Sequence, residues 1–183
     1  MPEPRIWLID QDGVLADFDP MIRQRLIEQF PDMPLRPYEE HEHFQFSDNY
    51  SSVWDPVIKN ICVAPGFIRS LLPIPGAIEA VKTLVAMGET VRICTSPLSQ
   101  YEHCVLEKYE WVEKYLGREF TANIILTRDK TLVNGTYLID DKPKIDGVMK
   151  PTWEHIVFTQ PYNRNVVDRR RINWQNWRQV LGI

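Results

Sequence analysis

Five short apolar runs, each followed by polar residues, set what this chain can fold into. They are Arg5–Ile9 (RIWLI), stopped by Asp10; Val91–Cys94 (VRIC), stopped by Thr95-Ser96-Pro97; Asn123–Leu126 (NIIL); Tyr137–Ile139 (YLI), stopped by Asp140-Asp141; and His155–Phe158 (HIVF), followed by Thr159-Gln160-Pro161. Each has the length of a buried strand. Helical patterns lie between them. Ala77–Met87 puts Ile78, Val81, Leu84 and Val85 on one face, with Pro75-Gly76 before it and Gly88 after it as start and stop signals. Tyr101–Leu116 repeats Val105, Tyr109, Val112 and Leu116 at helical spacing. Strands alternating with helices make βαβ units, so the expected class is α/β, a Rossmann-like parallel sheet flanked by helices. Ligands of such sheets bind beyond the carboxyl ends of the strands. That is where this chain collects Asp, Thr and Ser.

One stretch breaks the pattern. Asp17 to Pro73 has helical character at Met21–Phe30 and roughly Tyr50–Ile61, but no strand of the kind above. A structureless loop of that length does not suit a compact domain. The expectation is a small helical cap, residues 17–73, inserted after the first strand of a core made of residues 1–16 and 74–183. Such an insert can serve as a lid over the strand ends. The Arg169-Arg170-Arg171 run reads as a solvated face ahead of a terminal helix.

Composition narrows the function classes. A chain of 183 residues suits one domain carrying a modest insert. Its formal net charge of −4 lacks the footprint of a protein that binds a nucleic-acid polymer or an anionic membrane. No run approaches the ~18 apolar residues of a spanning helix. The opening MPEPRIWLIDQDG meets acids at once and reads as neither a signal nor a transit peptide. Cys62, Cys94 and Cys104 are dispersed and unpaired in spacing, which points to a reducing compartment, with a cytoplasmic protein expected, and away from a zinc site. The eight glycines form neither of the glycine-rich phosphate cradles, so any phosphate must be met by side chains.

The polar stops carry the chemistry. Asp10 and Asp12, two apart on an extended segment, point the same way. At ~4 Å and an effective dielectric near 20, their repulsion would cost about 4 kcal/mol. A cation such as Mg²⁺, a proton on one acid, or both would relieve it. Asp12-Gly13 also suits a plain tight turn. Asp140-Asp141 tilts the balance toward a metal, because adjacent parallel strands would bring the two acidic pairs together; Asp141 also suits a helix cap. Thr95 and Ser96 offer hydroxyls and N–H groups to phosphate oxygens, and Lys130 in LTRDKT offers positive charge. Together these parts make a phosphoryl-transfer site with a carboxylate nucleophile. His41, His43, His103 and His155 form no ligand pair, although His41 and His43 flank Glu42 and could line a pocket. A phosphoacceptor switch uses a similar kit but needs a further strand-end acid; Asp55 is its only candidate by position. A phosphatase of sugar phosphates or other small esters is the nearer alternative.

At these residues the chain resembles the haloacid dehalogenase-like phosphohydrolases, and within them the 5′(3′)-deoxyribonucleotidases. The resemblance is carried by IDQDGVLADF (Ile9–Phe18), PIPGAIEAVKTL (Pro73–Leu84), ICTSPL (Ile93–Leu98), EKYEWVEKYLG (Glu107–Gly117), ILTRDKT (Ile125–Thr131) and LIDDKP (Leu138–Pro143). It implies a haloacid dehalogenase-like core and a nucleoside monophosphate substrate, with a homodimer left open. It also implies Asp10 as nucleophile and Asp12 as the acid that protonates the leaving oxygen and then activates water. Mg²⁺ would be held by Asp10, the backbone carbonyl of Asp12, and Asp141. Thr95 and Lys130 match phosphate contacts, with Ser96 close by. Phe18 matches an aromatic near the substrate, and Phe44, Gln45 and Phe46 fall where the lid meets the base. Gln45, Cys62 and Lys142 depart from the animal relatives' pattern, which bears on base, sugar and 5′/3′ preference rather than on catalysis.

Overall fold

The computed structural model describes residues 5–183; Met1–Pro4, where the segment read as no targeting peptide begins, lie outside the described residues. In chain order the main elements are β1 (Ile6–Ile9), β2 (Ala16–Asp17), α1 (Phe18–Gln29), α2 (Asp55–Val63), α3 (Phe67–Ser70), β3 (Leu72–Pro73), α4 (Ala77–Ala86), β4 (Thr90–Thr95), α5 (Cys104–Leu116), β5 (Ile124–Leu126), β6 (Tyr137–Asp140), β7 (Glu154–Phe158), β8 (Arg171–Ile172) and α6 (Trp177–Leu181). Six strands form one sheet in the order β5-β4-β1-β6-β7-β8, every pairing parallel. Central β1 is buried on both faces, as an internal parallel strand must be. Trp7 and Ile9 join the larger core, while Leu8 packs with Cys94, Leu138 and Trp153 on the other side.

All five apolar runs form the strands expected of them. The sixth, β8, lies in the arginine run that the sequence presents as a solvated face. Two residues are too few to show a period. The run's charges are also engaged: Arg171 donates to the Asn163 and Val166 carbonyls, Arg170 pairs with Glu154, and Arg169 donates to the Pro143 carbonyl.

The helices differ from expectation in their inward faces. In α4 the buried set is Ala77, Ala80, Val81 and Leu84, leaving Val85 exposed. In α5 it is Cys104, Glu107, Lys108, Trp111 and Val112. The expected apolar stripe of α5 is only half-buried at Val105, Tyr109 and Leu116, because two ionised residues occupy the inward face.

The segment from residue 17 to 73 contributes no strand to the main sheet. Its ends are tied by a short antiparallel pair, Ala16↔Pro73 and Asp17↔Leu72, which the sequence did not announce. Between them run α1, three short 3₁₀ turns (Tyr38–Glu40, Phe46–Asn49, Ser52–Trp54), α2 and α3. Glu107 of α5 holds its far end by accepting the Gly66 and Arg69 N–H groups. Among the described residues no helix is long and apolar enough to cross a membrane.

Candidate active site

Sheet register assembles the acids. Ile9 is paired with Ile139, and the Asp10 N–H donates to the Ile139 carbonyl at 3.0 Å, so Asp10 leaves β1 level with the end of β6. Asp140 and Asp141 therefore stand beside it. One carboxylate oxygen from each of Asp10, Asp140 and Asp141 lies within 4.8 Å of the others. Lys130 comes in from the turn after β5, with Nζ 3.0 Å from Asp10 and 2.5 Å from Asp140. Burial disfavours its charge, but the two carboxylates outweigh that and hold its pKa above the ordinary value. The Trp153 indole N–H donates to the Lys130 carbonyl and anchors this turn from β7's side.

Burial pushes the Asp141 carboxyl well above the usual range, and the charges of Asp140 and Asp10 push it further. Its Oδ2 accepts the Tyr162 hydroxyl, while its buried Oδ1 has no hydrogen-bond partner among the described residues. Three carboxylates thus face one ammonium, with an acceptor left over. Both the residual negative charge and the all-oxygen donor set fit a hard divalent cation. Gly13 gives the cluster room: at φ +76° it turns the chain where any Cβ would collide with the Asp141 carboxylate.

Asp12 faces elsewhere. Its carboxylate takes no part in the cluster of Asp10, Asp140 and Asp141, and the metal role that the resemblance gives Asp12 runs through its backbone carbonyl. The reason is local. The Leu15 and Ala16 N–H groups both close onto the Gln11 carbonyl, curling the chain straight after β1 and ending the extended alternation. Asp12 instead accepts from Lys108 Nζ at 2.6 Å, and the same ammonium donates to Thr95 Oγ1 at 2.9 Å. Lys108 is fully buried. The sequence reading missed it, because apolar spacing turned it to solvent; the Cys104, Lys108, Trp111 series was the available signal. Thr95 is buried at the end of β4. Ser96 is exposed, and its hydroxyl donates to the Thr127 carbonyl at 2.9 Å.

The aromatic candidates divide. Phe18 packs edge-on against Phe67 at 5.2 Å. Phe44 meets Tyr162 at 5.8 Å between ring centroids, with Lys142 Nζ 6.0 Å from its ring. Gln45 is exposed, and its carbonyl accepts from Asn49. Phe46 is seated on His41 and Tyr50, inside the segment's own aromatic cluster. Buried Asn49 shapes this loop, donating to the His43, Gln45 and Phe46 carbonyls and accepting from the Glu42 and His43 N–H groups. Nothing in its sequence context singles it out. His41 is buried against Tyr50 while His43 is exposed, so the two line no common pocket. Asp55 opens α2 and ends no strand of the main sheet, which removes the third acid a phosphoacceptor switch requires. A groove of 770 Å³ lies beside the start of β7 and the residues leading into β8, lined by Lys144, Trp153, His155 and Arg169; it includes none of Asp10, Asp12, Thr95, Lys130 or Asp141.

Comparison with known proteins bears on the family and the fold. Residues 4–183 match the family described as 5′ nucleotidase, deoxy (pyrimidine), cytosolic type C protein (NT5C). A Bordetella pertussis protein named for 5′(3′)-deoxyribonucleotidase activity is 51% identical over 96% of this chain and 94% of its own. The human cytosolic-type 5′(3′)-deoxyribonucleotidase is 45% identical over 95% of this chain and 92% of its own. Among solved structures, a HAD family hydrolase of Deinococcus radiodurans R1 with bound phosphate and sodium covers 98% of this chain and 95% of its own, at TM-score 0.59 and 14% identity. YfnB of Bacillus subtilis, solved as a HAD-type hydrolase with magnesium, covers 98% and 99%, at TM-score 0.58 and 14% identity. These two bear on the fold alone.

Proposed function

The chain belongs to the cytosolic type C 5′-nucleotidase family and is a phosphoric monoester hydrolase of the nucleotidase type, and from that premise we propose that it hydrolyses deoxyribonucleoside monophosphates through an aspartyl phosphate on Asp10, with magnesium, in the cytoplasm. The observation that carries the reading is the division of the strand-end acids into two groups with different partners: Asp10, Asp140 and Asp141 around Lys130, and Asp12 on Lys108. A nucleophile and a separate acid are what a two-step phosphoryl transfer needs.

In the proposed reaction an Asp10 oxygen attacks phosphorus as the P–O bond to the nucleoside breaks, and Asp12 gives its proton to the departing oxygen. Asp12 then takes a proton from water, whose oxygen attacks phosphorus and breaks the bond to Asp10, releasing phosphate. Lys130, held at 3.0 Å from Asp10, and the Thr95 hydroxyl supply the charge and hydrogen bonds that phosphoryl oxygens require. Asp10, Asp141 and the carbonyl of Asp12 would hold magnesium, which supplies neutralisation of charge on phosphoryl oxygens. Residues 17–73 act as the cap, with Phe18 at its first turn, Phe44 against Tyr162 of the core, and Ser96 at the rim.

A phosphate-release screen across deoxy- and ribonucleotides, 5′ and 3′, tests the proposal. Release should require magnesium, stop reversibly on chelation, and vanish in Asp10→Asn, a loss of at least about 10⁴-fold. Full turnover in EDTA would remove the metal from the reaction; a higher rate on sugar phosphates than on every nucleotide would favour the alternative substrate class.

A further inference from the structure

The turn after β7 touches both halves of the proposed site. Tyr162 donates its hydroxyl to Asp141 Oδ2, leaving Oδ1 without a partner among the described residues. Its ring stands edge-on to Phe44 at 5.8 Å and 78°. The flanking residues brace it from both sides. Asn163 Nδ2 donates to the Asp141 carbonyl at 2.7 Å and Gln160 Nε2 to the Gly13 carbonyl at 2.6 Å, fixing the turn to the core. Tyr38 donates to Gln160 Oε1 at 2.7 Å, and Arg164 donates to the Glu39 and His41 carbonyls at 3.0 Å each, fixing it to the other side.

We propose that Tyr162 is a positioning residue with two separable roles: its hydroxyl fixes the Asp141 carboxylate so that one oxygen faces the metal, and its ring backs Phe44 as the platform for the nucleobase. The inference rests on the magnesium-dependent nucleotidase reading above and deepens it. A carboxylate free to rotate must be ordered when the metal binds; one oxygen already held by a phenol leaves less to order. An aromatic platform backed by a second ring keeps its orientation without the base present.

Two variants of the full chain separate the roles. Calorimetric titration of Mg²⁺ without substrate should show Tyr162→Phe binding about 10–100-fold more weakly than the unaltered protein. At saturating Mg²⁺ the KM of Tyr162→Phe for a deoxynucleotide should stay unchanged, because the ring is retained. Tyr162→Leu should lose metal affinity equally and also raise KM for the deoxynucleotide about three- to tenfold, with KM for p-nitrophenyl phosphate unmoved. Magnesium binding by Tyr162→Phe as tight as that of the unaltered protein would overturn the first role. A nucleotide KM for Tyr162→Leu no higher than for Tyr162→Phe would overturn the second. Absence of magnesium binding by the unaltered protein would overturn the metal reading itself, and the first role with it.

Discussion

The strand-end floor and the helical segment above it are built on opposite principles. On the floor, each group proposed to react leaves the end of a strand or the turn just after one, and sheet register sets its height. Charges there answer charges: Lys130 with Asp10 and Asp140, Lys108 with Asp12. In the segment from residue 17 to 73, aromatic rings answer one another, and the backbone is shaped by 3₁₀ turns and by one buried amide, Asn49. The floor has the rigidity that chemistry needs. The upper segment, the proposed cap, has aromatic surface but no register to fix it. Losses on the floor should therefore fall on the chemical step, and losses above it on which molecule is chosen.

The largest effect expected inside this comparison belongs to Lys108. Its ammonium is shared between Asp12 and Thr95, so Lys108→Met leaves the acid without its partner and a hydroxyl without its donor. Turnover of a deoxynucleotide should fall about 10²–10³-fold, because the nucleoside oxygen leaves only with a proton. For p-nitrophenyl phosphate, whose leaving group departs without one, the loss should be about tenfold. Equal losses on the two substrates would show that Lys108 serves the phosphate alone and has no part in leaving-group protonation.

Lys108 also marks where sequence stops being informative. The strands were readable because an internal parallel strand needs a continuous apolar run, and Asp10, Thr95 and Asp140 interrupt those runs abruptly. The acidic pairs could be brought together on paper because β1 and β6 are neighbours. Direction is what the sequence withheld. Asp12 looks like Asp10's partner by alternation, yet the curl at Gln11–Ala16 turns it toward α5. A lysine on α5 looks solvated until Asp12 and Thr95 are seen to surround it. In the upper segment, Phe44 and Phe46 are indistinguishable by type and spacing; only the loop held by Asn49 sends one ring to Tyr162 and the other to His41.

His41 sharpens the same contrast through pH. Burial lowers its pKa to about 4, so it sits neutral among Tyr38, Phe46 and Tyr50. A folded-state value below the unfolded 6.5 gives stability that is complete above pH 6.5 and is lost as pH falls toward 4. Its neighbour Asp19 runs the other way. Burial raises that carboxyl to about 6, so its contribution is complete below the ordinary 3.8 and is lost as pH rises toward 6. The two slopes oppose each other across nearly the same window. His41→Phe, which keeps a ring among the aromatics, should remove one slope. Relative to the unaltered protein, the variant should gain roughly 2–3 kcal/mol on going from pH 7 to pH 4, read by urea unfolding at both values. No relative gain would mean that burial leaves the His41 pKa near its ordinary value.

Phe44 gives the smallest effect and the most direct test of the division. It meets Tyr162 and Lys142, whereas Phe46 is occupied with His41 and Tyr50. Removing a platform ring costs stacking with a base, worth about 1–3 kcal/mol by alanine substitution, and costs nothing on a substrate without a base. Phe44→Ala should thus lower kcat/KM for a deoxynucleotide about tenfold, mostly in KM, and leave that for p-nitrophenyl phosphate within about twofold. Phe46→Ala should lower thermal stability instead and move both substrates alike. A larger KM effect from Phe46 than from Phe44 would reverse the roles of the two rings. Equal losses for Phe44→Ala on both substrates would mean that the ring supports the floor, and that the upper segment takes part in the chemistry after all.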